Sequence, residues 1–287
     1  MQRPPVTQID DPLITYDAHG TVTVGLKDLW RGKAAFLVCS GPSINEVAYQ
    51  RLAERGIASL GINNIAGKIP VKAMTHSDPA EKFHWGIFSD PGIIKLIPKP
   101  KLTRGETRVK LTDGSFKYTG KHVRDYPNVW GYERRCWWTP ETFLTDPAAS
   151  WGNNNDGVKK TGRPKILCTM LLGLRLLHFL GVRRAYLLGV DFWMDPARGA
   201  TGNYAFPQER DAGACDANNN IFRVAGDMLC ELRPYLDAAG YQVFNCNKWS
   251  RLRAFDFCPF EEALEDCRGD VPAEPFSLEN WYLKGER

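Results

Sequence analysis

The sequence predicts an α/β protein built on an open, mostly parallel sheet flanked by helices. Apolar runs of strand length recur at residues 34–39, 57–62, 71–75, 185–190 and 241–245. Segments with helical spacing lie between several of these runs, at 46–55, 166–180 and 221–239, and each stops at or beside a glycine. Alternation of strands with helices favours parallel pairing through right-handed crossovers. The expected core is therefore a Rossmann-like sheet.

Composition indicates an ordinary globular chain. With 287 residues, 43% hydrophobic and 24% charged, it can bury a large core. The N-terminus lacks the apolar segment of a secretory signal, and residues 166–180, the longest apolar stretch, contain Arg175 and His178. The eight cysteines form no C-x-x-C pair and no zinc-like spacing with histidines. We therefore expect a cytoplasmic protein with free thiols, no membrane segment and no structural metal.

Small polar residues follow three of the predicted strands. They are Ser40 and Ser43, then Asn63 and Asn64, then Ser77 and Asp78. Ligands of open parallel sheets bind outside the carboxyl ends of the strands, so these residues are expected to converge on one site. Gly41 and Pro42 fit a turn into a helix capped by Ser43, whose N-terminus could bind a phosphate. An ordinary strand-to-helix turn is the alternative.

The segments predict four regions. Residues 13–26 alternate around His19-Gly20 as a β-hairpin, which places an N-terminal extension at 1–32. Residues 33–82 and 165–252 are expected to form an α/β core that binds a phosphate-bearing ligand such as a nucleotide, and 253–287 a C-terminal tail that packs on it. Residues 83–164, rich in Pro, Gly, Trp and basic residues, are expected to be an insertion that serves as a lid or an acceptor-binding segment.

This predicted insertion is strongly basic. Nine Lys or Arg and two acids lie between Lys95 and Arg124, with aromatic residues interleaved. One interpretation is a solvated segment with its own small aromatic core. The other is a surface for an anionic partner, such as DNA or RNA, that supplies charge and stacking. The candidate contacts are Lys99, Lys101, Arg104, Lys110, Trp137 and Trp138.

Three motifs resemble a known family. They are Cys39-Ser40-Gly41-Pro42-Ser43, the stretch from Leu180 to Trp193 with Tyr204-Ala205-Phe206 after it, and Asn245 to Leu252. With Asn63, they resemble the bacterial sialyltransferases of glycosyltransferase family 42 and proteins like 6-hydroxymethylpterin diphosphokinase. The resemblance implies a variant of the GT-A glycosyltransferase fold and a nucleotide-sugar donor.

The resemblance also implies roles for individual residues. The donor nucleotide would contact Ser40, Gly41, Pro42, Ser43, Asn63, Asn64, Ser77 and Thr169, and the leaving phosphate would contact Trp193 and Tyr204. The family's general base is a histidine, but this chain has no histidine after His178, and Cys215 or Asp216 lies nearest to its place. An acceptor hydroxyl must still lose its proton. Asp78, Asp191, Asp216 and His76 are the candidate bases, although Asp191 is equally suited to a structural role in a turn.

The leading hypothesis is thus a nucleotide-sugar-dependent glycosyltransferase whose acceptor is a nucleic acid or a glycan. One alternative is transfer of pyrophosphate or phosphate from ATP to a small hydroxymethyl compound, with Mg²⁺ held by Asp78 and Asp191. Another is a nucleic-acid-binding module on a degenerate transferase fold.

Overall fold

The computed structural model describes residues 11–198, 201–206 and 213–269. Five helices lie in these ranges: α1 Trp85–Ser89, α2 Asn155–Thr161, α3 Thr169–Phe179, α4 Ala214–Ala238 and α5 Phe260–Gly269. The strands in the same ranges are β1 Thr15–Tyr16, β2 Val22–Thr23, β3 Ala34–Val38, β4 Ala58–Ile62, β5 Ala73–Thr75, β6 Ile94–Pro98, β7 Arg108–Lys110, β8 Phe116–Tyr118, β9 Val129–Tyr132, β10 Arg134–Arg135, β11 Ala149–Ser150, β12 Gly152–Asn153, β13 Ile166–Leu167, β14 Arg184–Leu188, β15 Gln242–Asn245 and β16 Asp256–Phe257.

A ten-stranded sheet forms the centre of the molecule, in the order β16-β15-β14-β3-β4-β5-β6-β9-β1-β2. Neighbours from β16 to β9 are all parallel, and β1 pairs antiparallel with both β9 and β2. The prediction of a mixed α/β fold with a mostly parallel sheet is confirmed. From β3 the chain continues to β4 on one side, whereas β14, on the other side of β3, is followed by β15. The strand order therefore reverses between β3 and β14, which is where such sheets bind ligands.

Helices cover both faces of the sheet. On one face, α3 and α4 pack against alternate sheet residues such as Leu37 and Leu60. Every residue of α3 after Thr169 is buried, which explains its almost uninterrupted apolar sequence. On the other face, α5 packs its buried Phe260 against Phe36, with ring centroids 5.7 Å apart. Among the described residues, no helix is long and apolar enough to cross a membrane.

Three sequence expectations about local structure are wrong. Residues 46–55 form no α-helix; the 3₁₀ turns Pro42–Glu46 and Tyr49–Ala53 stand there, separated by an extended Val47. Short 3₁₀ turns suffice because this crossover buries few apolar side chains. The stretch 166–180 is not one helix, since β13 pairs with β12 and α3 starts only at Thr169. Helix α4 begins at Ala214, seven residues before the predicted start.

Residues 83–164 do not stand outside the sheet. They supply β6 and β9, two of the strands that pair in parallel within it. Strand β6 contains Lys95, which interrupts the apolar pattern, but its ammonium donates to the Pro127 carbonyl at 2.7 Å and is fully buried. The hairpin of β1 and β2 is confirmed, and β1 joins the same sheet through β9. Part of the predicted insertion therefore belongs to the core.

A buried ion cluster ties the start of the described chain to α3. The Asp11 carboxylate accepts from the Arg175 guanidinium and from Nδ1 of His178, the latter at 2.6 Å. Burial alone raises the pKa of Asp11, but the bonds and charges of His178 and Arg175 outweigh it and lower that pKa from 3.8 to about 2. Burial also lowers the pKa of His178. The lowered pKa of Asp11 stabilises the fold at neutral pH, and this stability is lost on acidification. The lowered pKa of His178 adds none at neutral pH, but it costs stability as pH falls below 6.5, because the buried ring resists protonation.

We expect Asp11→Asn to lower the free energy of unfolding at pH 7 by about 3 kcal/mol, because it leaves the Arg175 charge buried without its counter-ion. The lowered pKa of Asp11 places its share of stability above pH 3.8, to be lost as pH falls toward 2, so the variant should also lose part of its acid sensitivity in that window. Urea unfolding across this pH range measures both effects. Asp28→Asn, at the exposed pair with Arg31, is the control and should cost at most about 1 kcal/mol. An equal loss in the two variants would contradict this account.

Candidate active site

The carboxyl ends of β3, β4 and β14 and the start of α3 enclose a cleft of about 180 Å³, here called the first cleft. It lies at the point where the strand order reverses. Most predicted donor-binding residues meet there: Ser40, Gly41, Asn63, Thr169, Trp193 and Tyr204 line it together with Asp191. Convergence of the polar strand ends, which the sequence predicts from parallel pairing, is thus observed for β3 and β4, whereas Ser77 and Asp78, which follow β5, do not line the cleft.

Asp191 joins three strand ends. One carboxylate oxygen accepts from the Ser43 hydroxyl at 2.9 Å, and the other accepts from Nδ2 of Asn247, after β15, at 3.1 Å. The Asp191 carbonyl accepts from the Arg251 N–H at 2.9 Å. Burial raises the pKa of Asp191, and the Ser43 bonds oppose part of that rise. With both oxygens engaged, Asp191 is built as a structural clamp, which was the alternative to its role as a base.

Gly41 is required by this clamp. A Cβ on Gly41 would lie 1.9 Å from Oδ2 of Asp191 and 2.5 Å from the Gly189 carbonyl oxygen. The space beside its Cα therefore belongs to Asp191, and a donor contact of the Gly41 backbone stays a prediction. The predicted helix cap is wrong: Ser43 lies within a 3₁₀ turn that has Pro42 at its start, and its hydroxyl serves Asp191. Any side chain at position 41 should disrupt the clamp and destabilise the fold.

Asn63 combines two unusual features in the first cleft. Its backbone φ is +55°, a left-handed conformation that asparagine tolerates better than most residues. Within the described part of the chain, its side-chain Oδ1 is buried and has no hydrogen-bond partner. A buried acceptor without a partner costs about 1–3 kcal/mol, and strained residues cluster at functional sites. Asn63 is therefore poised to accept a hydrogen bond from a ligand.

The N-terminus of α3 opens into the same cleft. Cys168, Thr169 and Met170 line it, and the helix runs for eleven residues from this end. The Thr169 and Ser77 hydroxyls bond to each other at 3.0 Å, which links the ends of β5 and α3. The N-terminal end of a helix favours negative charge. The helix N-terminus that could bind a phosphate is thus that of α3, and not one in the turn after β3.

A second cleft adjoins the first and shares Ser40 with it. Neighbouring residues of the chain line different clefts: Asn63 and Tyr204 line the first, whereas Asn64 and Phe206 line the second. The segment 204–206 is fixed to the end of β3: the Ala205 N–H donates to the Ser40 carbonyl at 2.8 Å, and its carbonyl accepts from Asn45 at 3.0 Å. Further residues of the second cleft are Lys68, Glu81, Lys82, Phe83, His84, Arg108, Lys110 and Phe116.

Glu81 is the carboxylate of the second cleft. Among the described residues, it makes no hydrogen bond or close ion pair, and its Oε2 is buried beside Gly105. No sequence pattern marks Glu81 as a candidate base. It lies in a polar stretch with no motif, so only its lack of partners in the fold distinguishes it.

The predicted bases lie in less suitable places. His76 is fully buried against Phe83; its Nδ1 donates to the Asp78 carbonyl at 2.8 Å, and burial lowers its pKa to about 4. Because its ring is fully buried, it cannot reach a substrate, so that prediction is wrong. Asp78 pairs with Lys82 at 3.0 Å, and Asp216 is exposed in the first turn of α4, outside the residues that line either cleft.

The predicted acceptor contacts do not form one surface. Lys99 lies 3.8 Å from the ring centre of Tyr16, whereas Lys110 lines the second cleft. The pKa of Lys101 is lowered, mainly by burial and then by the charges of Arg134 and Arg104. Trp137 contacts the side chains of Arg135 and Lys160. Trp138 is 2% exposed and packs edge-on against Phe143, so its assignment as a stacking surface is wrong.

The side chains predicted to coordinate a metal ion are also poorly suited to that role. Asp191 is bonded to Ser43 and Asn247, and Asp78 is paired with Lys82. In the ranges that the structure describes, no group of three or more His, Cys, Asp or Glu could hold a metal ion. The residues proposed for Mg²⁺ therefore do not fit it.

No family model matches the chain, and no curated protein matches it. Among solved structures, it is similar to the sialyltransferase CstII from Campylobacter jejuni, studied in complex with a substrate analogue, cytidine-5'-monophosphate. The alignment covers 80% of this chain and 86% of that chain, with 13% sequence identity and a TM-score of 0.41. That protein is of the class that the sequence motifs resemble. A similarity at this level assigns no function, which must rest on the chain's own residues.

Proposed function

We propose that this protein is a glycosyltransferase that binds a nucleotide-sugar donor in the first cleft. The observation that carries the proposal is the buried Oδ1 of Asn63, which has no hydrogen-bond partner among the described residues. It lies where the strand order reverses, and the motifs shared with the sialyltransferases border the same cleft. The amide can read the polar edge of a base or a ribose hydroxyl, because it carries both a donor and an acceptor.

The rest of the cleft suits the remaining parts of such a donor. The start of α3, with the Thr169 hydroxyl, favours the donor phosphate. Tyr204 lies in the same cleft and can donate its hydroxyl proton in a hydrogen bond to the phosphate as it leaves. Trp193 supplies an indole whose ring the Arg251 guanidinium covers at 3.5 Å. These are the roles that the resemblance implies for Thr169, Tyr204 and Trp193.

The two adjoining clefts suit a transfer between two substrates. The donor sugar would reach the boundary at Ser40, and the acceptor hydroxyl would approach from the second cleft. The hydroxyl oxygen forms a bond to the anomeric carbon, the bond from that carbon to the phosphate oxygen breaks, and the nucleotide leaves with the electron pair. Glu81 takes the hydroxyl proton, since it is the second-cleft carboxylate without a partner among the described residues.

Phosphotransfer from ATP has less support. It requires a bound Mg²⁺, and the two carboxylates available for that role, Asp78 and Asp191, already have partners. We derive no step through a metal ion.

A thermal-shift screen of nucleotides and nucleotide sugars tests the proposal. A donor present at a hundred times its Kd should raise the melting temperature by about 5–10 °C, because it binds only the folded protein. The cognate nucleotide sugar and its nucleotide should stand out, with ATP as the comparison. Two results would contradict the proposal: a rise in melting temperature with ATP alone, or a complete panel in which no nucleotide sugar raises it.

A further inference from the structure

We infer that the second cleft, with the β7–β8 hairpin beside it, binds single-stranded nucleic acid. The role of that strand as acceptor rests on the function proposed above, whereas the binding itself does not. The hairpin forms its own two-stranded sheet, apart from the central one, and contributes Arg108, Lys110 and Phe116 to the second cleft.

One face of this hairpin combines cations and aromatic rings. Arg108 lies opposite Tyr118, and Lys110 lies opposite Phe116 in the antiparallel register. Residues directly opposite each other share a face, as do alternate residues of one strand, so all four side chains lie on the same face. The Arg108 guanidinium stacks on Phe116 at 3.8 Å. Phe116 and Tyr118 are 48% and 57% exposed, which is unusual for large rings.

The cations on this face lack counter-ions in the part of the chain that the structure describes. Among the described residues, neither Arg108 nor Lys110 forms an ion pair, and Nε of Arg108 is buried without a hydrogen-bond partner. Residues 104–121 carry five basic side chains and two acidic ones, Glu106 and Asp113. Asp113 is engaged by Ser115 in the hairpin turn. An anionic ligand would supply the missing partners.

The aromatic rings and the cations of this face, taken together, favour one class of anionic ligand. A polyanionic glycan could satisfy the charges but offers no aromatic faces, and a duplex hides its bases in the stack. Single strands present phosphates and open bases, which bind basic grooves and aromatic side chains in proteins that hold them. The spacing of Phe116 and Tyr118, two residues apart on one face, suits successive bases.

Fluorescence anisotropy with a labelled single-stranded DNA of mixed sequence tests the inference, without any donor. Phe116→Ala and Tyr118→Ala should each weaken binding by about 5- to 150-fold, the effect of losing one stacked base. Phe116→Tyr keeps the ring and should restore most of the affinity. Arg108→Gln should reduce the salt dependence by about 0.7 log units per log unit of salt, which corresponds to one phosphate contact.

Matched controls lie on other parts of the surface. Phe257, on the edge strand β16, is 47% exposed, and Phe257→Ala should leave DNA affinity unchanged. Arg55→Gln removes one exposed charge elsewhere and should leave the salt slope unchanged. No DNA binding at low salt, equal losses in Phe257→Ala and Phe116→Ala, or equal binding of a sulfated oligosaccharide would overturn the inference. Donor binding should be unchanged in Phe116→Ala. Measuring it therefore distinguishes a failure of the DNA-binding inference from a failure of the proposed function.

Discussion

Replacing Glu81 with glutamine is expected to lower kcat by about 10²- to 10⁴-fold, the usual contribution of a general base. The neutral amide keeps the shape of the side chain but cannot take the acceptor proton. Glu81 lines the second cleft and is without a partner among the described residues, so its loss breaks no observed contact. The measurement is steady-state release of nucleotide from the donor identified by the thermal-shift screen, in the presence of acceptor.

Asp78→Asn is the matched control for this substitution. Asp78 lies three residues earlier, also follows β5, and pairs with Lys82 at the surface. Its neutralisation should change kcat by less than about threefold, because an exposed pair contributes little. Donor affinity should be unchanged in both variants. A large loss in Asp78→Asn with none in Glu81→Gln would return the role of base to Asp78.

Tyr204→Phe is expected to lower kcat by about 10²- to 10³-fold with little change in KM, as observed when one donor to a developing oxyanion is removed. The bond from the Tyr204 hydroxyl to the phosphate strengthens as negative charge develops on the leaving group. Its position is set by Ala205, whose backbone is bonded to Ser40 and Asn45 on both sides. Tyr235→Phe, on the exposed face of α4, is the control. An effect on KM alone would mean that Tyr204 only holds the donor.

The central sheet was predictable where strands are uniformly apolar. Strands β3, β4 and β14 are buried on both faces, so their sequences carry almost no polar residue. Strand β6 was missed because Lys95 lies in its middle, and only the fold shows that backbone carbonyls accept from its ammonium. Strand β9 is four residues long and contains a glycine, which gives too little pattern for recognition.

The candidate site was predictable in outline only. Parallel pairing brings the ends of β3 and β4 together, which places Ser40 and Asn63 correctly from strand order alone. In contrast, the side chain that packs closely against Gly41 belongs to Asp191, 150 residues later, and no local sequence pattern predicts such a contact. Glu81 and Arg108 gain their significance from the hydrogen-bond partners and counter-ions that they lack among the described residues. A sequence shows which groups are present, but not which remain unsatisfied after folding.

We propose that the first cleft holds the donor through Asn63. The most direct test of this proposal is the Kd of the cognate nucleotide sugar, measured by calorimetric titration in Asn63→Gly and Asn64→Ala. Glycine suits the φ of +55° at position 63, so the variant removes the amide without backbone strain. We predict a loss of affinity of about 5- to 150-fold in Asn63→Gly and none in Asn64→Ala, whose side chain lines the second cleft. Unchanged donor affinity in Asn63→Gly would contradict the account.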